Sequence, residues 1–193
     1  AALVRSLCQA GAQVTWLDAA AGPAAAASAL PVGMLSPHVT AQPTPLSRLT
    51  TLGMAHTRAE LQRLLPPGRG WWPTEVDNRG HDAGRHPACL VRPGALVQAW
   101  HDEAVACGRL RTLWNTPATA LQRKGDDWQV LGPDGHTIAQ VQLVFIAAAF
   151  GSLPLLGNPL CLSDADLPLR PVKGQLSFGP LSGPADAARP QRQ

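Results

Sequence analysis

The sequence predicts an α/β fold, and three observations carry that prediction. A short helix pattern runs straight into an apolar strand that stops on an acid, "ALVRSLCQAGAQVTWLDAA". Two longer amphipathic patterns, each opened or closed by Pro or Gly, read as helices. Between and after them lie extended runs punctuated by turn residues. The 193 residues suffice for one domain with a proper core, and a hydrophobic content of 45% fits a globular chain.

In chain order, Leu3, Val4, Leu7 and Cys8 recur at helical spacing, and Gly11 stands where a left-handed residue closes a helix, so residues 1–10 read as helix. Val14–Leu17 then reads as a buried strand, and "AAAGPAAAASALP" as a loop of small residues packed closely against something. "VGMLSPHV" holds a short extended piece. From Ser47 to Leu65 the spacing of Leu49, Leu52, Ala55, Ala59, Leu61 and Leu64 predicts a helix that Pro66-Pro67 ends. "GRGWWPTEVDNRGHDAGRHPACLV" lacks periodicity and reads as loop with a strand or two. Pro93 opens a second long helix that Gly108 closes. Gly125-Asp126 and Pro133-Asp134-Gly135 then separate three extended runs, a small meander feeding a buried strand from Val141 to Ala148. "LPLRPVKGQLSFGPL" is a last extended run, and the tail from Ser182 to Gln193 carries no core-building pattern and is expected to be disordered.

Composition narrows the function classes. The net charge of +3 comes from scattered Arg with no phosphate-tracking stripe. The four cysteines show no zinc spacing and read as reduced thiols of a cytoplasmic protein. No stretch reaches the roughly 20 apolar residues that cross a bilayer. His81 and His86 flank Asp82 without a third ligand at metal spacing, and His38 reads as a surface or capping histidine. Trp71 and Trp72, beside Pro and Gly, read as packing residues more readily than as a base-stacking platform. Met34 and Met54 read as core.

Asp18 is the residue that points to a site. In a dinucleotide-binding unit a glycine loop turns helix amides toward a pyrophosphate, and an acid about 20 residues on accepts bonds from ribose hydroxyls. Asp18 fits that acid if such a loop stands just before Ala1. A solvated loop acid is the competing reading.

Five segments in order, "ALVRSLCQAGAQVTWLDAAAGPAAAASALPVGMLSP", "RPGALVQAWHDEA", "TLWNTPATALQRKGDDWQVLGPDG", "VQLVFIAAAFGS" and "LRPVKGQLSFGPL", give the chain a resemblance to FAD-dependent oxidoreductases of the D-amino-acid-oxidase superfamily. Within it the chain most resembles the C-terminal FAD domain of the bacterial tRNA wobble-uridine modification family, MnmC. The resemblance implies a partial FAD/NAD(P)-binding Rossmann-like domain of glutathione-reductase type, with a β-meander and the start of an antiparallel-sheet substrate domain. Residues 1–46 and 88–153 would be mainly FAD-binding, residues 47–87 and 154–181 helical and substrate-side, and 182–193 the tail. Relative to family members the chain is expected to be truncated at both ends, lacking the glycine loop and a late glycine-rich stretch.

The resemblance implies FAD as cofactor, with Asp18 on the adenosine ribose, Ser28 and Gly33 along the segment running to the flavin, and Ala118 on the strand that meets the adenine. It implies Arg170 and Lys173 as a clamp for a substrate carboxylate; solvated edge charges are the alternative. The implied reaction removes the carboxymethyl group from 5-carboxymethylaminomethyl-(2-thio)uridine at the tRNA wobble position, with tRNA as partner and a methyltransferase domain, fused or separate, acting next. Two other readings stay open: an amine or amino-acid oxidase acting on a free small molecule, and a catalytically inactive remnant.

Overall fold

The computed structural model describes residues 1–79, 83–160, 162, 166, 169–172, 174 and 176–178. These divide into two compact units. One comprises Ala1–Ala12 and Pro23–Arg109, the other Gln13–Gly22 and Leu110–Leu176. The architecture is mixed α/β, with one parallel and two antiparallel sheets.

In the first unit, helix α1 (Ala2–Gln9) ends where Gly11 takes φ +93°, a conformation that costs glycine little. Helix α2 (Pro45–Leu64) starts two residues before the sequence pattern suggests. Thr44 caps it: its hydroxyl accepts the Ser47 N–H at 3.0 Å while its own N–H donates to Ser47 Oγ at 2.8 Å, and Pro45 supplies a preset φ at the first helical position. Helix α3 (Pro93–Ala106) opens on a proline in the same way and is followed by Gly108 at φ +66°.

Between these helices lie strands β2 (Gly33–Leu35), β3 (Trp71–Asn78) and β4 (Gly84–Val91), ordered β2-β4-β3 and antiparallel. The region that reads as mostly loop is thus largely a hairpin. Its prolines hide it: Pro73 lies on edge strand β3, and Pro87 precedes the stretch Cys89–Val91 where β4 pairs on both sides. Leu61, Trp71, Cys89, Val91 and Leu96 form the core of this unit, with Leu35, Leu64, Leu65 and Trp100 packed around it.

The helices share a charged seam. Glu60, buried on α2, receives both Nε and Nη2 of Arg63 at 3.1 and 3.0 Å, Nε1–H of Trp100 at 2.9 Å, and the Arg5 guanidinium of α1. Glu103 of α3 shares Arg5 Nη1 with Glu60, at 3.1 Å, and accepts Nη1 and Nη2 of Arg63 at 2.5 and 2.8 Å. The Arg63 guanidinium, followed by Trp100 and Arg5, outweighs burial and holds the Glu60 carboxyl at about 2. Glu103 is lowered chiefly by the same Arg63.

In the second unit, strands β1 (Val14–Leu17) and β5 (Leu110–Leu113) pair in parallel, Val14 opposite Leu110 and Leu17 opposite Leu113. Strands β6 (Ala120–Lys124), β7 (Asp127–Leu131) and β8 (Thr137–Val141) form the expected meander, with Gly125 and Gly135 at positive φ in its turns. Leu121, Val130 and Leu155 are the core here.

The expected strand from Val141 to Ala148 is not formed. Strand β8 ends at Val141, and residues 142–148 join no ladder. Val144 and Ile146 turn onto the core while Leu143 and Phe145 face outward, 65% and 53% exposed. A strand needs a paired neighbour, and among the described residues β1 and β5 pair only with each other. Helix α4 (Ser152–Leu160) follows. Leu169–Val172 likewise carry no ladder.

Candidate functional site

Asp18 directly follows β1, so it sits at the carboxyl end of a parallel strand pair, the place where open α/β sheets bind ligands. Its backbone is locked there. The Asp18 N–H donates to the Leu113 carbonyl at 3.1 Å, and the Asp18 carbonyl accepts the Thr116 N–H at 2.9 Å. The Asn115 N–H reaches the Ala20 carbonyl at 2.8 Å, with Asn115 itself at φ +51°. Behind this turn Trp16 and Trp114 meet edge to face at 5.2 Å. One carboxylate oxygen accepts the Ala20 N–H at 3.0 Å, and among the described residues no cation pairs with the group. Asp18 is half-buried.

Ala118 lies in the segment between β5 and β6 and packs on the core of the same unit. The structure therefore brings Asp18 and the Asn115–Ala118 stretch together. The positive φ of Asn115 and the Thr116 bond are site features that the sequence reading did not use; the available signal was Asn itself, which tolerates a left-handed backbone better than most residues.

Ser28 and Gly33 belong to the first unit. Ser28 lies in a single helical turn, Ala27–Ala29, packed on the start of α3. A Cβ added at Gly94 would come within 3.3 Å of the Ser28 carbonyl oxygen, so glycine lets this loop approach the helix. Gly33 opens β2 opposite Val91, and a Cβ there would lie 3.3 Å from Pro93 Cγ.

Arg170 is exposed and lies outside any ladder, and Lys173 lies outside the described residues. His81 and Asp82 also lie outside them, and His38 is exposed. Trp71 is core, its Nε1–H donating to the Leu65 carbonyl at 3.2 Å, and Trp72 is half-buried under the Arg92 guanidinium. Met54, read as core, is instead half-buried on the wall of a groove. Among the described residues, no helix is long and apolar enough to cross a membrane.

A carboxylate with lone pairs to spare at this position suits hydroxyl donors, so the residues present fit the ribose end of a dinucleotide.

No family model matches the chain. It is 33% identical over 214 residues to the tRNA 5-methylaminomethyl-2-thiouridine biosynthesis bifunctional protein MnmC of Polaromonas sp. (strain JS666), covering 92% of this chain and 34% of the relative. It is 33% identical over 204 residues to the MnmC of Albidiferax ferrireducens, covering 98% and 33%. The chain thus spans about a third of the length of the curated relatives it matches. Among solved structures, NikD, an unusual amino acid oxidase essential for nikkomycin biosynthesis, superposes with a TM-score of 0.53 at 15% identity, over 80% of this chain and 50% of that one. That likeness speaks to fold. With the parallel pair, the acid at its carboxyl end and the meander in place, the chain has a mixed α/β fold consistent with a partial Rossmann-like domain and is similar to about one third of the length of MnmC proteins.

Proposed function

We propose that the chain is part of an FAD-dependent oxidoreductase that removes the carboxymethyl group from 5-carboxymethylaminomethyl-(2-thio)uridine at the tRNA wobble position, leaving the 5-aminomethyl form. The observation that carries the cofactor half of this reading is Asp18, fixed at the carboxyl end of β1 beside the Asn115–Ala118 turn. The substrate half rests on the similarity to MnmC proteins over most of the chain.

In this reading Asp18 accepts the adenosine ribose hydroxyls, and the backbone at Ala118 meets the adenine. Ser28 and Gly33 belong to the segment running toward the flavin, and Arg170 with Lys173 binds the substrate carboxylate. FAD, when bound, supplies the two-electron oxidation of the carbon beside the amine. Hydrolysis of the oxidised substrate releases glyoxylate and leaves the amine on the uridine. Asp18 orients and holds; it moves no proton of the substrate.

The test is a titration of the purified chain with FAD, read by flavin absorbance and fluorescence, followed by incubation with carboxymethylaminomethyl-modified tRNA and mass analysis of its nucleosides. Micromolar binding and appearance of the aminomethyl nucleoside support the reading. Binding without change to the tRNA, but with turnover of free amino acids, replaces the substrate half with a small-molecule amine oxidase. No flavin binding overturns the reading for this chain.

A further inference from the structure

Helix α2 and strand β4 enclose a groove of about 320 Å³ that the flavin reading does not use. Its lining comes from one side of α2, where Thr51, Met54, Ala55 and Arg58 recur at the spacing of one helix face, and from Pro37, His86 and Pro87 opposite. The walls are mostly apolar, and Arg58 is the cation set among them.

Arg58 is unlike the other arginines of its unit. Arg5 and Arg63 are bound by Glu60 and Glu103, Arg79 faces Asp77, Arg85 faces Glu75, and Arg92 lies over Trp72. Arg48, Arg69 and Arg109 are exposed to water. Arg58 is half-buried, and among the described residues no carboxylate pairs with it. Its Nη2 donates to the Ala88 carbonyl and the Cys89 sulfur, both at the long distance of 3.5 Å. The remaining guanidinium donors stay available, beside Met54 and Ala55 on the same helix face.

A guanidinium gains most from an anion that matches its planar fork, and gains more where apolar surface displaces water. The groove volume lies near the lower end of the roughly 300–1,000 Å³ of small-molecule sites. From the unpaired, half-buried Arg58 and the apolar walls around it, we propose that this groove binds a small carboxylate carrying an apolar body. Its carboxylate lies against Arg58, and its apolar part rests on Met54, Ala55, Pro37 and Pro87.

The chain has two methionines, so methyl-labelled methionine gives two NMR signals, one reporting Met54 in the groove and the other Met34 in β2. The probes are 2-naphthoate and its neutral counterpart 2-naphthamide, titrated into the whole chain, with Met54→Leu identifying the groove signal. The expected result is a saturable shift of the Met54 signal with naphthoate, affinity about tenfold weaker for the amide, and loss of that difference in Arg58→Gln. Arg58→Lys, which keeps the charge but not the fork, retains part of it. Equal affinity for the two probes overturns the proposal, as does a shift confined to Met34 or no saturation at millimolar naphthoate. If Arg58→Gln fails to fold, the two-probe comparison on the unaltered chain still decides. Flavin titration is independent of every one of these readouts, so failure here and failure of the proposed function are separable.

Discussion

Asp18 is tied to Thr116: the Thr116 N–H donates to the Asp18 carbonyl at 2.9 Å, across the carboxyl ends of β1 and β5. The backbone of the acid is thereby set by the neighbouring strand, while its carboxylate needs only the Ala20 N–H locally. Asp18→Asn keeps an oxygen for that bond and removes the charge. Stability is expected to change by less than about 0.5 kcal/mol, as at surface sites. FAD affinity is expected to fall about tenfold or more, the worth of a hydrogen bond to a charged group. Fluorescence titration beside a thermal melt checks both, and unchanged affinity removes Asp18 from the cofactor site.

The Glu60 cluster makes stability depend on acid. With its folded carboxyl held at about 2 against an ordinary 4.5, Glu60 contributes stability that is fully present above 4.5 and lost as pH falls toward 2. Glu103, also lowered, adds to the same slope. Glu60→Gln is expected to cost about 3 kcal/mol at neutral pH, because Arg5 and Arg63 lose a buried partner. It should also flatten the decline between pH 5 and 3. Urea unfolding of both proteins across that range measures the two effects; parallel slopes would place the acid sensitivity elsewhere.

Two leucines of α2 should separate sharply on truncation. Leu61 is fully buried, so Leu61→Ala is expected to cost about 3 kcal/mol. Leu49 is 67% exposed, and Leu49→Ala is expected to stay within about 0.5 kcal/mol. Comparable losses would show that the exposed half of α2 is covered in solution.

Cys8 is buried, and burial pushes its thiol up, with the nearby Cys107 adding to the shift. Half-buried Cys107 should therefore react with a thiol reagent at neutral pH at least about tenfold faster than Cys8. Peptide mass analysis after timed alkylation gives the order, and equal rates would mean that α1 opens readily.

The elements legible in the sequence were those fixed by local constraint. Pro93 and Gly108 bound α3, Gly11 follows α1, and Gly125 and Gly135 turn the meander, because each acts through its own φ. The β3–β4 hairpin was obscured because ladder position, invisible locally, decides whether Pro73 and Pro87 are tolerated. The segment Leu143–Ala148 misled in the opposite direction, since strand-like composition is not a strand without a neighbour. Asp18 was legible as an acid ending a strand. Arg58 was not, because on a helix it reads as an ordinary solvated face until the opposite wall, Pro87 and His86, is placed.

The pairing of Val14 with Leu110 sets an order of events during synthesis. Nearly all of one compact unit, Pro23–Arg109, is encoded between these two partners. That unit's hairpin and helices α2 and α3 leave the ribosome while β1 is still waiting. Closing so long a loop is slow, and β1 spends the interval as an unpaired apolar edge. A nascent chain halted before Leu110 therefore exposes Trp16 and Leu17 to chaperones or to aggregation, and the turn that fixes Asp18 waits until Thr116 has been made.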